Sequence, residues 1–534
     1  MFELITILLI ALLLRIMFGT LESSDDWASL WYIMNQRGKK WLNFYAEDTV
    51  NGGRRGYPVL QHFIISKFPE KNWKVVGRFF VISYDFLMAA LAVFMLYELQ
   101  SAGVISFSDN DYLYYGIFAG LLLISPVMMP STARMQAVNA RTLGMLLTVL
   151  YFYFLGKVVV FDNYFFIPVV LAVGYLIILS SQFGIQVFLF FSIIISVFLL
   201  NPVPFLFMAF IVGTSFLFKG FGSYEVLTFN INHKRWYFSN FNAGTTASNR
   251  NKLKEFILAP IYLFIKTTRF FQLLMRDNSV FIAIYSMIPL WYLGYLLYEN
   301  QGVYNSIASN GLIYYYFALL IAGLITFLLT TIRSFSFLGQ SERYFEYSLI
   351  YTLIVLFFVL DQLKIWEYSK LTTVLHINLL WILGVFIFVY NERRKSKKSS
   401  EESSAELVEF IYTNCDESRI AIIPLKMSHY ISYRLRLKKK KKNIKFYYRF
   451  SLLKRDKGFK IYQNEIGGSI RGNKNISIDI FKMPLADIKE RYQLTHILIQ
   501  NSYMKRVKEN WGEDTIDKLA EPVFSNDDYK LFRI

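Results

Sequence analysis

The stretch SSDDWASLWYIMNQRG places Asp25 and Asp26 side by side just after an apolar run, at the edge of whatever that run is buried in. Paired carboxylates there can take a proton from a hydroxyl or hold a divalent cation such as Mg or Mn. They also suit a cap on a helix beginning at Trp27, since Asp is a favoured N-cap and its charge complements the helix start. A second acidic pair, Glu47 and Asp48, is followed by Arg54 and Arg55 and then by the turn Gly56-Tyr57-Pro58. Arginines beside apolar surface can grip a lipid phosphate through paired hydrogen bonds, or simply anchor the chain at an interface. Other chemistries find no foothold. The lone Cys415 excludes an internal disulfide framework and a multi-cysteine metal site, the histidines lack metal spacing, and no Walker-type phosphate loop is present.

The elements that must position these groups are apolar. Hydrophobic residues make up 54% of 534 positions, and they cluster in runs long enough to bridge a hydrocarbon core. After Phe2 to Phe18 come Val75 to Tyr97, Tyr112 to Met129, Ala140 to Phe154, Tyr164 to Leu179, Phe183 to Leu200, Val203 to Leu217, Val280 to Leu297, Leu312 to Thr331, Tyr344 to Leu360 and Val374 to Tyr390. That predicts about eleven helical spans, because backbone groups in lipid must be satisfied within each segment. No small-residue cleavage site follows the first run, so it reads as a retained span. Phe256 to Met275 carries Lys266 and Arg269 and reads as a helix lying along the surface. Within the spans, Arg78 and Asp85 share a helix face, which favours a buried ion pair, and His376 reads as a packing group. The fold class is thus an all-α polytopic membrane protein over residues 1–391.

Beyond Tyr390 the composition turns to NERRKSKKSSEESS, read as a solvated linker over 392–404. Residues 405–534 mix an amphipathic helix with β-rich runs such as RIAIIPL, KFYYRFSL and THILIQ, which predicts a small basic α/β or α+β soluble domain. The net charge of +18 points to anionic lipid headgroups and phosphates as partners rather than nucleic acid.

Three features in order resemble the GT-C superfamily of multi-span glycosyltransferases: the acidic pair after the first span, the Gly-Tyr-Pro turn before the second, and SPVMMPSTARMQAVNARTLGMLL leading into the fourth. The later stretch FLGQSERYFEYSLIYTLIVL is similar to the Arg-Tyr loop before a late span of such enzymes. The resemblance implies a polyprenyl-phosphate-linked sugar donor and a glycan, lipid or protein acceptor. It makes Asp25 or Asp26 the base or the carboxylate holding a divalent cation, with Asp48 as a second acidic participant. Arg54, Arg55, Tyr57, Arg134, Arg141, Arg343 and Tyr344 become the substrate-binding set, Arg343 foremost for the donor phosphate. A transporter or flippase of lipid-linked saccharides is the competing class. It would place substrate groups near the bilayer midplane, often in repeated halves, and no such repeat is apparent.

Parity gathers the first loop, the Arg134 to Arg141 connection, the Lys219 to Asn278 loop, the Arg333 to Arg343 loop and the C-terminal domain on one side of a cell membrane. Positive charge makes that side cytoplasmic. The resemblance makes it extracytoplasmic, which is the expectation adopted.

Overall fold

The computed structural model describes residues 2–18, 24–46, 48–50, 56–107, 111–128, 138–218, 222–239, 253–332, 335, 338–339, 341–366, 368–425, 427–438, 443–448, 466–470, 473–512, 519 and 521–534. Contacts divide the chain into two units. The helical unit comprises Met1–Glu22, Lys74–Phe218 and Asn249–Val389, and the sheet unit comprises Ser23–Trp73, Lys219–Ser248 and Tyr390–Ile534.

Among the described residues, five helices are long and apolar enough to cross a membrane: Glu70–Ser101, Arg141–Phe161, Gly311–Thr331, Glu342–Gln362 and Ser369–Phe388. A sixth crossing would need the pair Ser279–Ser286 and Ile288–Glu299, which is bent by 67°. Pro289 stands in the first turn of its second piece and has no N–H to carry a helix through Met287. The remaining apolar helices found among the described residues, Gln182–Phe198 and Val203–Leu217 among them, are 10–17 residues long. The expected count of about eleven spans is not confirmed among the described residues. Apolar runs measure composition, whereas helix length is cut by turn residues such as Ser181, which caps the helix after it.

Glu342–Gln362 is the axis of the helical unit. Its apolar window is wholly buried inside protein, which lets it carry Tyr344, Tyr347 and Tyr351. It packs along Gly311–Thr331, and the closeness depends on Gly323, where a Cβ would lie 2.4 Å from the Ser348 side chain. Asp85 is indeed ion-paired, but with Arg15 of the first helix at 2.9 Å rather than with Arg78. Residues seven apart are about 10 Å apart along a helix, too far for a direct pair, whereas a neighbouring helix supplies a partner at the same depth. Arg15 also donates to the Leu123 carbonyl at 2.9 Å. The surface helix expected over Phe256 to Met275 is broken into Leu253–Ile265, Thr267–Gln272 and a π-helical turn Leu273–Asp277, with Lys266 at the first break.

In the sheet unit, β1 (Arg419–Ile423) and β2 (Lys445–Phe446) belong to the main sheet, while β3 (Ile466–Ile470) and β4 (Asn473–Phe481) form a separate antiparallel ribbon. The main sheet continues with β5 (His496–Gln500), β6 (Phe524–Ser525) and β7 (Tyr529–Arg533), in the order β2-β1-β5-β7-β6. β1 runs parallel to both neighbours and β7 antiparallel to both of its own. Helices Met427–Arg436, Leu485–Tyr492 and Asn501–Trp511 complete it.

The unit is more than the tail from residue 405. Phe446 N–H donates to the Asp48 carbonyl at 2.9 Å, and Val50 N–H donates to the Phe446 carbonyl at 3.0 Å, so the first loop extends the sheet beyond β2. Helix Ser24–Gln36 packs on Met427–Arg436, with the Trp27 and Tyr430 rings 4.7 Å apart. The segment read as a linker over 392–404 is helical, inside one continuous helix Tyr368–Asn414 of 47 residues. Lys, Arg and Glu are good helix formers, so a stretch that composition alone presents as a loop can continue a helix.

Candidate functional site

Asp25 and Asp26 fall on the first turn of Ser24–Gln36, so that helix begins ahead of them rather than at Trp27. A helix's first turn is where its dipole favours anions. Asp26 is buried. Arg54, Arg55, Glu47 and Arg134 lie outside the described residues.

Asp48 is the hub of a closed network. Its Oδ2 accepts from Trp31 Nε1 at 3.0 Å, Ser432 Oγ at 2.6 Å and the Tyr448 hydroxyl at 2.9 Å. Its Oδ1 faces Arg436 at 3.2 Å. Burial pushes this carboxyl up, but the Arg436 guanidinium and the three hydrogen bonds outweigh burial and hold it below the ordinary carboxylate range. The Tyr448 hydroxyl is driven far up, first by burial and then by the charge of Asp48. Oδ2 is filled by three donors and Oδ1 is turned toward the Arg436 guanidinium. The geometry of this carboxylate is that of a tie between the first loop and the tail.

Tyr57, in the Gly-Tyr-Pro turn, stacks on Tyr32 with ring centroids 4.7 Å apart and planes 9° from parallel. Gly56 lets the turn close, since a Cβ there would sit 2.2 Å from Phe229. These contacts make the turn part of a packed ring cluster.

In the helical unit the structure does bring predicted residues together. Arg141 opens helix Arg141–Phe161 and Arg343 lies in the first turn of Glu342–Gln362. Their guanidinium carbons stand 5.0 Å and 4.4 Å from the centroid of one ring, Phe183. Phe183 itself lies in the first turn of Gln182–Phe198, whose cap is Ser181. Three helix N-termini, each a partial positive end, therefore share one neighbourhood with two guanidinium groups. Two like charges within about 10 Å repel unless an anion lies between them. One terminal nitrogen of Arg141 is shielded from solvent and has no hydrogen-bond acceptor among the described residues. Tyr344, the other member of the set, donates its hydroxyl to Gln186 at 3.0 Å and braces the two helices against each other.

Close backbone approach holds this arrangement. A Cβ on Gly144 would lie 2.4 Å from Ser181, which keeps the turns bearing Arg141 and Phe183 in register. Gly339, at φ +124°, passes its backbone against the Phe183 ring. Sequence reading missed Phe183, Gly144, Gly339, Ser432 and Arg436. Only the Gly of FLGQSERY carries a local signal, and nothing in a Phe-rich chain distinguishes Phe183.

Among the described residues no three His, Cys, Asp or Glu side chains gather closely enough to hold a metal ion.

No protein-family sequence pattern matches the chain, and no curated protein sequence does. Its structure is similar to the crystal structure of the oligosaccharyltransferase of Archaeoglobus fulgidus in complex with Zn and sulfate, with a TM-score of 0.51 and 14% identity. The match covers 97% of this chain and 71% of that one. At that identity the likeness concerns architecture alone: the chain's fold is similar to that of the archaeal oligosaccharyltransferase.

Proposed function

We propose that the chain is a multi-pass membrane glycosyltransferase that moves a sugar from a polyprenyl-phosphate-linked donor to an acceptor hydroxyl on a glycan, a lipid or a protein. The observation that carries this reading is the pair Arg141 and Arg343 on Phe183, at three helix N-termini, with a buried Arg141 nitrogen lacking an acceptor among the described residues. The acceptor oxygen would attack the anomeric carbon as the bond from that carbon to the phosphate oxygen breaks. The leaving lipid phosphate gains negative charge, which prepositioned guanidinium groups stabilise more in the transition state than in the ground state. Asp25 or Asp26 would take the acceptor's proton. Asp48, held by Trp31, Ser432, Tyr448 and Arg436, would position the first loop rather than meet substrate.

The bent pair at Met287 is the one feature that favours a transporter, since broken helices build midplane substrate sites in that class. Chemistry separates the two. With protein reconstituted in lipid and a synthetic polyprenyl-phosphate sugar, the enzyme reading expects transferred sugar together with free lipid phosphate. Arg343→Ala should weaken donor binding and rate together, and Arg343→Lys should restore only part, because a point charge cannot form the two-pronged contact. Asp25→Asn or Asp26→Asn should lower turnover at nearly unchanged donor affinity. Movement of intact donor across the bilayer with no sugar transferred would replace the enzyme reading with the transporter.

A further inference from the structure

At the opposite end of the same helices lies a cavity of about 480 Å³, within the size range of small-ligand sites. It sits at the ends of three candidate spans: Glu70–Ser101 and Arg141–Phe161 end there and Gly311–Thr331 begins there. Tyr97, Tyr164 and Phe165 stand exposed at these helix ends, as interfacial aromatics do. It is therefore separate from the Arg141 and Arg343 neighbourhood, a whole helix away.

One wall is charged in both senses. Lys157 Nζ lies 3.0 Å from each oxygen of Glu98, and the Tyr153 hydroxyl donates to Glu98 at 2.9 Å. The pair is mostly enclosed, with side chains 17% and 26% exposed. The facing wall is the start of a helix. Asn310 caps Ile313 with its side-chain oxygen, so the N–H groups of Gly311 and Leu312, which precede the first intrahelical acceptors, remain as donors at the cavity. A pair serving only to join two helices would need neither the cavity nor this second wall.

We propose that the cavity binds the headgroup of an ethanolamine phospholipid from the leaflet on this side. Its phosphate would sit between Lys157 and the Gly311 and Leu312 N–H groups, and its primary ammonium would donate to Glu98. The match is one of charge sense: a cation and an open helix start for the anion, and a carboxylate for N–H donors. Choline, which has no N–H, forfeits the Glu98 contact, and glycerol headgroups leave Glu98 facing an uncharged group.

The experiment reconstitutes the whole protein in bilayer discs containing phosphatidylcholine, phosphatidylethanolamine and phosphatidylglycerol in equal amounts, and counts retained lipids by native mass spectrometry. Ethanolamine lipid should be retained about tenfold over choline lipid, the worth of one charge-assisted hydrogen bond. Glu98→Gln should bring that ratio near one. Ala102→Leu, which fills the cavity from another wall and leaves the ion pair intact, should lower retention of ethanolamine lipid even if Glu98→Gln fails to fold. Equal retention of the ethanolamine and choline lipids, preferential retention of phosphatidylglycerol, or a preference that survives Ala102→Leu overturns the proposal. Displacement of the retained lipid by millimolar soluble phosphoethanolamine would reassign the site to a free metabolite and overturn the lipid assignment.

Discussion

Asp48 shows how little a residue's type says about its work. In sequence it is one acid among several in a charged loop. In the structure its two oxygens hold Trp31, Ser432, Tyr448 and Arg436. Asp48→Ala should destabilise the sheet unit by about 2–4 kcal/mol, toward the low end because Arg436 keeps a third of its side chain in water, and chemical denaturation measures it. Because the folded carboxyl titrates below its unfolded counterpart, near about 3.9, its contribution is complete above that pH and fades as pH falls through the folded value. Acid unfolding of Asp48→Asn should accordingly be less steep below about pH 4 than that of the parent. Arg141 and Arg343 sit at helix starts, and those starts follow from the apolar pattern. The ring they share was not legible, since partners between sequence-distant helices leave no local trace.

At the scale of elements, the apolar runs located the helices well, and their ends poorly. Leu312 to Thr331 became Gly311–Thr331, whereas Val280 to Leu297 split at Met287 because hydropathy does not register one missing N–H at Pro289. Helix pairing turns on small residues that composition also hides. Gly144→Val should separate the Arg141 turn from Ser181 and weaken donor binding while the helices still form, which ligand-induced thermal shifts and circular dichroism distinguish. The Arg15 and Asp85 pair makes a different point. Either Arg15→Met or Asp85→Leu alone strands a buried charge and should cost about 3–5 kcal/mol, whereas the double substitution should recover much of the loss, as a double-mutant cycle in detergent would read.

For the whole molecule, the tail announced itself by composition, but its other half did not. Ser23–Trp73, Lys219–Ser248 and Tyr390–Ile534 form one unit. That Asp48–Val50 lengthens the sheet and that Ser24–Gln36 covers Met427–Arg436 could not be read locally, because such pairing joins residues nearly 400 positions apart. A fragment of residues 405–534 expressed alone should therefore be poorly soluble and gain protease resistance when residues 23–73 are supplied with it, as limited proteolysis would show. The same discontinuity sets a clock. At about 5–20 residues per second, some 300 residues of mostly membrane-bound chain must be made between Trp73 and Tyr390, leaving the first loop about 15–60 s without its partner. Through that interval Trp27, Trp31 and Tyr32 have nothing from the tail to cover them, so each newborn chain passes through a stage at which a chaperone, or a neighbouring chain's tail, can reach its aromatic loop first.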